Sequence, residues 1–271
     1  MIDILKTIIL GIIQGITEWL PVSSTGHMIL FNALWPLEPA EFFNVFKVVI
    51  QFGSILAVLV LYFHKLNPWS PTKNEVQKKQ TWQLWLKVII GCIPAGIAGL
   101  LLDDIIDDYL SAPFVVAVTL IVYGVIFIIV SRHPSDPKIS SLNKLTFKDA
   151  FIIGCFQCLA LIPGTSRSGA TILGGMYEGC SRPVASEFSF FIAVPIMAAA
   201  SLLKIVKYIM AGVGFTGAQV GLLVLGTVIA FVVSLFAIRA LMKYVKTHTF
   251  EVFGWYRIVL GILVLICFYL I

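Results

Sequence analysis

The chain has 271 residues, 59% of them hydrophobic and 12% charged, with a formal net charge of +5. Soluble domains carry about 25% charged residues, so this composition excludes a water-soluble globule and points to an integral membrane protein of several helices. The net positive charge sits mainly in loops between apolar runs, which gives a nucleic-acid partner no support and makes the charges a report on orientation.

In chain order, MIDILKTIIL lacks a basic n-region and a small-x-small cleavage site, and reads as a first helix rather than a removable signal. Residues 4–35 are apolar but broken by Pro21, Ser23, Ser24 and Gly26. Crossing a bilayer takes about 20 apolar residues. Neither arm reaches that length, so a re-entrant helical hairpin with its broken tip at membrane depth is expected. Transmembrane helices are predicted over about 45–63, 84–102 and 113–131. Residues 148–180 are interrupted in the same way around Pro163 and Gly164 and predict a second hairpin, followed by spans over about 187–210, 217–238 and 252–271. The expected fold class is an all-α polytopic membrane protein, one membrane domain over 1–271 with about six transmembrane helices and two re-entrant hairpins.

Loops 64–83, 132–148 and 239–251 are basic, whereas 103–108 reads DDIIDD and 211–216 is uncharged. The positive-inside rule places the three basic loops in the cytoplasm and both termini outside. Lys204 and Lys207, near an outer helix end, are exceptions. Trp69, Tyr109 and Tyr256 at span ends read as interfacial anchors. Cys155 and Cys158 form a CxxC inside an apolar helical run with no second pair, so helix packing is their expected role.

Residues 11–30, GIIQGITEWLPVSSTGHMIL, and 154–173, GCFQCLALIPGTSRSGATIL, align at a constant offset of 143. Gly11/Gly154, Gln14/Gln157, Ser23/Ser166, Gly26/Gly169, Ile29/Ile172 and Leu30/Leu173 coincide. Both halves run hairpin, span, span, span, which predicts repeat 1 over about 1–131, a cytoplasmic connector over about 132–147 and repeat 2 over about 148–271. With the hairpins entering from opposite sides, this is an inverted-topology repeat, and its broken tips are expected to face each other near the midplane.

The tips carry the dense polar clusters. Arg167 in PGTSRSGAT is expensive in a membrane and should face a cavity and a partner, with Glu18 the candidate. Its planar fork suits phosphate oxygens. Ser166, Ser168 and Thr171 surround it, Gly164 and Gly169 let backbone N–H groups approach, and a helix beginning near Ser168 would add N-terminal amides. On the first tip, Gln14 and Glu18 share one helical face, and Ser24 and His27 share another. Ser24 or Ser23 could attack phosphorus while His27 or Glu18 takes the proton, or His27 could itself be the nucleophile. The favoured arrangement is Ser24 with His27 as base and Glu18 as orienter, with Ser23, Thr25 and Gln14 among the diphosphate-binding residues. Glu18 could alternatively hold a divalent cation bridging diphosphate oxygens. Such a constellation suits phosphoryl transfer. Asp103-Asp104-Ile105-Ile106-Asp107 spells DDxxD, but without a second acidic motif it reads as a solvated outer turn.

Through QGITEWLPVSSTGHM at 14–28, FQCLALIPGTSRSGAT at 156–171 and ASEFSFFIAVP at 185–195, essentially the whole chain resembles the bacterial undecaprenyl-diphosphatase, or bacitracin-resistance protein, family. Gln14 and Glu18 match its Glu/Gln-x-x-x-Glu box, continuing into Ser23, Ser24 and His27. Pro163, Gly164, Ser166, Arg167, Ser168 and Thr171 match its Pro-Gly-x-Ser-Arg-Ser-x-x-Thr box. Gln14 stands where some members have Glu, which weakens a two-carboxylate metal site and leaves Glu18 as the metal candidate. The resemblance implies hydrolysis of undecaprenyl diphosphate to the monophosphate carrier reused in cell-wall synthesis. It also implies stimulation by Mg2+ or Ca2+, and a bacterial inner (plasma) membrane location with the site open to the outer side. A homodimer is left open. A transporter or flippase for polyprenyl phosphate or another anion is the alternative, since broken helices in inverted repeats are common in carriers. If the two tips form a catalytic site, Arg167→Ala and Glu18→Ala each largely abolish phosphate release from a polyprenyl diphosphate while the chain still folds. Wild-type-like release by either variant contradicts the assignment.

Overall fold

The computed structural model describes residues 2–105, 112–134, 136–212 and 214–269. Regular structure among them is helical, apart from one backbone bridge between Ile139 and Cys180. The acidic run 103–108 and Tyr109 lie outside the residues whose side chains are described. The helices are α1 (Ile2–Thr17), α2 (Ser24–Leu34), α3 (Ala40–Val49), α4 (Gln51–Leu61), α5 (Phe63–Leu66), α6 (Glu75–Ile105), α7 (Pro113–Arg132), α8 (Phe147–Cys158), α9 (Arg167–Tyr177), α10 (Arg182–Met210), α11 (Gly217–Tyr244) and α12 (Glu251–Tyr269).

Six helical segments are long and apolar enough to cross a membrane: Ala40–Leu61, Glu75–Leu102, Pro113–Arg132, Arg182–Met210, Gly217–Tyr244 and Glu251–Tyr269. They overlap the six expected spans and differ at the ends for local reasons. α6 starts at Glu75 rather than near 84 because Asn74 and Gln77 exchange reciprocal side-chain-to-backbone bonds of 2.9 and 3.0 Å. A cap of this kind begins the helix in polar sequence, ahead of the apolar run. α10 starts at Arg182, with Pro183 in its first turn, where the missing proline N–H costs nothing. The first span is interrupted at Ile50, between α3 and α4.

The two interrupted regions form helix–break–helix pairs. Their arms, α1, α2, α8 and α9, have 16, 11, 12 and 11 residues, shorter than a crossing helix needs. The breaks are equivalent in detail. Ser23 and Ser166 cap α2 and α9 with left-handed φ values of 70° and 73°, and each hydroxyl accepts the N–H of the glycine three residues on at 3.2 Å. The 143-residue offset therefore holds at the level of backbone conformation.

Small residues let the helices approach, as expected where lipid offers no hydrophobic drive for association. α1 packs on α11 and α8 on α6, so the first arm of each pair leans on a helix from the other half of the chain. Gly11 and Gly15 of α1 sit against Gly226, Ala230 and Val233, and Gly154 of α8 sits against Gly91. α7 and α12 meet at Gly124 and Gly254, where a methyl on either would come within 2.7 Å of the other's carbonyl. The outer side of α11 presents Val220, Val224, Val228, Val232 and Phe236, one apolar stripe at helical spacing suited to lipid.

The basic segments meet at one end of the molecule. Lys65 pairs with Glu187 at 2.6 Å, Arg132 with Glu251 at 2.7 Å, and Arg182 donates to the His248 carbonyl. Lys87 reaches the Leu142 carbonyl at 3.3 Å. Cys155, exposed, and Cys158 are free thiols within α8.

Gly53 is the tightest test of this packing, because a methyl there would overlap the Thr227 carbonyl of α11, whereas one at Gly221 would meet nothing within 4 Å. Gly53→Ala should lower stability in detergent by about 1–3 kcal/mol through forced helix separation. Gly221→Ala should be neutral or stabilising, by up to about 1 kcal/mol. Thermal unfolding of the two purified variants checks the difference.

Candidate functional site

α1 ends at Thr17, and the backbone carries Glu18 and Trp19 into the first break before restarting at Ser24. The Glu18 carboxylate, 6% exposed, lies where the two breaks meet. Its Oε2 accepts from Gln14 Nε2 at 2.9 Å, one turn back on α1, and from Ser24 Oγ at 2.7 Å. Its Oε1 accepts from Arg167 Nη2 at 2.9 Å, on the other tip. One carboxylate thus joins an amide, a hydroxyl and a guanidinium. Ser24 and Arg167 are related by the 143-residue offset and are the first residues of α2 and α9.

Arg167 is held from several directions. Nη1 donates to the Ser189 carbonyl of α10 at 2.9 Å, Nη2 also contacts Met197 Sδ at 3.1 Å, and the guanidinium lies over the Trp19 ring at 5.6 Å. Trp19 is fully buried and meets Phe190 edge-on at 5.1 Å. Behind Gln14 a polar shelf continues, with Ser54 at 3.4 Å and Ser234 3.1 Å beyond it.

The groups open onto a cavity of about 670 Å³. Glu18, Ser23, Ser24 and Thr25 line it from the first tip, and Gly164, Ser166 and Arg167 from the second. First-turn amides of a helix have no intrahelical acceptor, so the starts of α2 and α9 bring N–H donors to this space. The far wall is apolar, built from Ala95, Gly99 and Leu100 of α6 and Ile196, Leu203 and Val206 of α10. A second cavity of about 840 Å³ shares Thr25, Gln51 and Pro163 with the first. It opens between the ends of α3, α10 and α12 that lie away from the basic loops, and Lys47, Lys204 and Lys207 line it.

Four residues expected at the phosphate-handling surface stand behind it. Gln14 is fully buried and orients Glu18. Ser168 Oγ is tied to the Leu20 carbonyl at 3.1 Å. Thr171 Oγ1 lies 2.7 Å from Ser189 Oγ and 2.9 Å from the Arg167 carbonyl, bracing α9 against α10. His27 is the largest departure. Its Nδ1 is 2.7 Å from the Ser23 carbonyl, and its Nε2 is 2.7 Å from the Tyr256 hydroxyl, with the two rings stacked 5.5 Å apart. The expected Ser24–His27 pair does not form. With α2 starting at Ser24, the Ser24 side chain turns to Glu18 while His27 points across to α12. Tyr256 accordingly has a partner inside the protein as well as a place at a span end.

The sequence reading missed Arg257, Ser54, Ser189, Trp19, Gln51 and Met197 as neighbours of the site. Arg257, a charge inside the run 252–271, was the one with a legible signal.

The donor set does not fit a cation held by protein groups alone. Divalent cations of this class take six or more oxygen ligands, while both Glu18 oxygens already accept hydrogen bonds, one of them from an arginine. The remaining unpartnered oxygen in the shelf, Gln14 Oε1, is fully buried. Among the described residues no cluster of three His, Cys, Asp or Glu side chains exists.

A family model for the bacitracin resistance protein BacA matches residues 7–263. A Clostridioides difficile protein named undecaprenyl-diphosphatase 1 is 56% identical over 272 residues, covering 100% of this chain and 98% of that protein. Proteins named undecaprenyl-diphosphatase from Limosilactobacillus fermentum and Lactobacillus delbrueckii subsp. bulgaricus are 54% and 53% identical, over 274 and 270 residues. These cover 100% and 98% of this chain, and 99% and 98% of the relatives. With the match running through both tips and all six long helices, the chain belongs to the bacitracin resistance protein BacA family.

Proposed function

We propose that the two-tip cavity carries out the undecaprenyl-diphosphatase activity for which the relatives are named, with Ser24 as nucleophile and Glu18 as its base. The observation that carries this reading is the Glu18 carboxylate, which accepts from Ser24 at 2.7 Å and from Arg167 at 2.9 Å. A nucleophile, a base in direct hydrogen-bond contact with it and a cation on the opposite wall are the parts that phosphoryl transfer requires.

The apolar wall formed by α6 and α10 suits the polyprenyl chain, and the amide-rich tips suit the diphosphate. Arg167 spends a donor on Glu18 in the free protein, so an arriving terminal phosphate competes for it and frees the carboxylate. Ser24 Oγ then attacks the terminal phosphorus as Glu18 takes its proton. The bond from that phosphorus to the bridging oxygen breaks, and undecaprenyl phosphate leaves with the oxygen. Water attacks the phosphoserine as the bond from phosphorus to Ser24 Oγ breaks, Glu18 returns the proton to Ser24, and inorganic phosphate departs with the water's oxygen and protons. Arg167 and the first-turn amides of α2 and α9 stabilise the equatorial oxygens in both steps. His27 has a positioning part, holding the Ser23 carbonyl and with it the left-handed turn that aims Ser24. A Mg2+ or Ca2+ ion would have to arrive with the diphosphate, since both Glu18 oxygens are already engaged.

We further read 1–271 as one membrane domain of two inverted repeats, with the paired breaks as re-entrant tips in a bacterial plasma membrane. The meeting of the basic loops at one end supports their placement in the cytoplasm. The cavity lined by Lys47, Lys204 and Lys207 then faces outward as the aqueous route for phosphate.

Rapid acid quench with a substrate labelled in its terminal phosphate tests the nucleophile. An acid-stable phosphoserine at Ser24 is expected, and Ser24→Ala should lose it together with at least about 1,000-fold in rate. His27→Ala should slow turnover yet still form the Ser24 adduct. An acid-labile adduct that disappears in His27→Ala contradicts the reading.

A further inference from the structure

Arg257, in the middle of α12, is fully buried. Among the described residues it forms no ion pair with a carboxylate within 4 Å, and its guanidinium lies over the Tyr123 ring at 5.6 Å. It donates from Nη1 to the Pro21 carbonyl at 3.1 Å and from Nη2 to the Gly164 carbonyl at 2.8 Å. Pro21 and Gly164 differ by the same 143 residues that relate the two breaks. One guanidinium therefore bridges equivalent carbonyls, two residues before Ser23 on one tip and two before Ser166 on the other.

We infer that Arg257 is a positioning residue that sets the separation of the two tips, and so the placement of Ser24 and Glu18 relative to Arg167. The inference rests on the phosphatase reading above. The forked geometry is what the task requires, because its two terminal nitrogens are held rigidly apart and each satisfies a carbonyl that lipid could not. Both carbonyls precede residues in the left-handed region: Gly164 itself has φ 93°, and Ser23 and Ser166 follow at 70° and 73°. Chain segments of that kind hold their shape only where the surroundings over-determine it. α7 adds a second hold on the same tip, with Thr119 Oγ1 donating to the Pro163 carbonyl at 2.7 Å. The α7–α12 pair thus acts as a post to which both tips are tied, and Arg257 is the member that touches both. Its own side chain does not line the cavity.

Full-length wild type, Arg257→Met and Arg257→Lys, purified in detergent, test this. Misplacing reacting groups by about 1 Å costs on the order of 100-fold in rate, so Arg257→Met should lose about that much kcat with KM changed less than about twofold. Arg257→Lys, which keeps a donor and the charge, should recover to within about tenfold of wild type. Hydrogen exchange supplies a readout independent of turnover. In Arg257→Met, peptides covering the Gly26 and Gly169 amides should both exchange at least about tenfold faster, while α7 peptides stay unchanged. Wild-type kcat in folded Arg257→Met overturns the inference, as does a change in KM alone or faster exchange at one tip only. If wild type itself releases no phosphate, the phosphatase reading fails, and unchanged exchange at both tips sinks the inference separately.

Discussion

Everything at the centre of this molecule depends on the ion pair between Glu18 and Arg167. The two side chains are 6% and 13% exposed and stand 149 residues apart in sequence. A lone charge at membrane depth is costly, and removing one partner of a buried pair leaves the other uncompensated, at about 3–5 kcal/mol. Among the described residues neither charge has another partner of opposite sign, which helps to hold the tips together. Gln14, Ser24 and the Ser189 carbonyl take up further hydrogen-bonding positions of the pair, while Arg167 Nε stays buried without a partner.

The repeat supplies geometry, and its imperfections supply chemistry. Both breaks use a left-handed serine whose hydroxyl caps the following helix. At the first helical position, however, one tip presents Ser24 and the other Arg167. Glu18 is likewise matched by Leu161 at the 143-residue offset, so the carboxylate exists on one side alone. Gln14 serves that carboxylate, while its equivalent Gln157 reaches the Gly91 carbonyl at 3.4 Å. A symmetric pair of turns thereby becomes an asymmetric site, with a carboxylate and a hydroxyl on one wall and a guanidinium on the other.

Much of this was legible in the sequence because a membrane simplifies the problem. Apolar runs gave the six long helices, and polar interruptions in apolar sequence marked the tips, including Glu18, Ser24 and Arg167. Side-chain direction was not legible. The i, i+3 spacing of Ser24 and His27 suggested a shared face, but where α2 begins fixes which neighbour each side chain meets, and His27 found Tyr256, 229 residues away. Caps also outranked hydropathy at the start of α6. The role of Arg257 depends on carbonyls that carry no signal in residue type, so its charge could be noticed in sequence without its partners being known.

The central claim is that the paired tips perform chemistry rather than only hold a phosphate. Its most direct test is inorganic phosphate release from a polyprenyl diphosphate by the purified full-length protein in detergent, where there is no membrane to cross. The account predicts sustained release at many turnovers per protein. Absence of release by folded protein that moves a polyprenyl phosphate across reconstituted vesicles would contradict it.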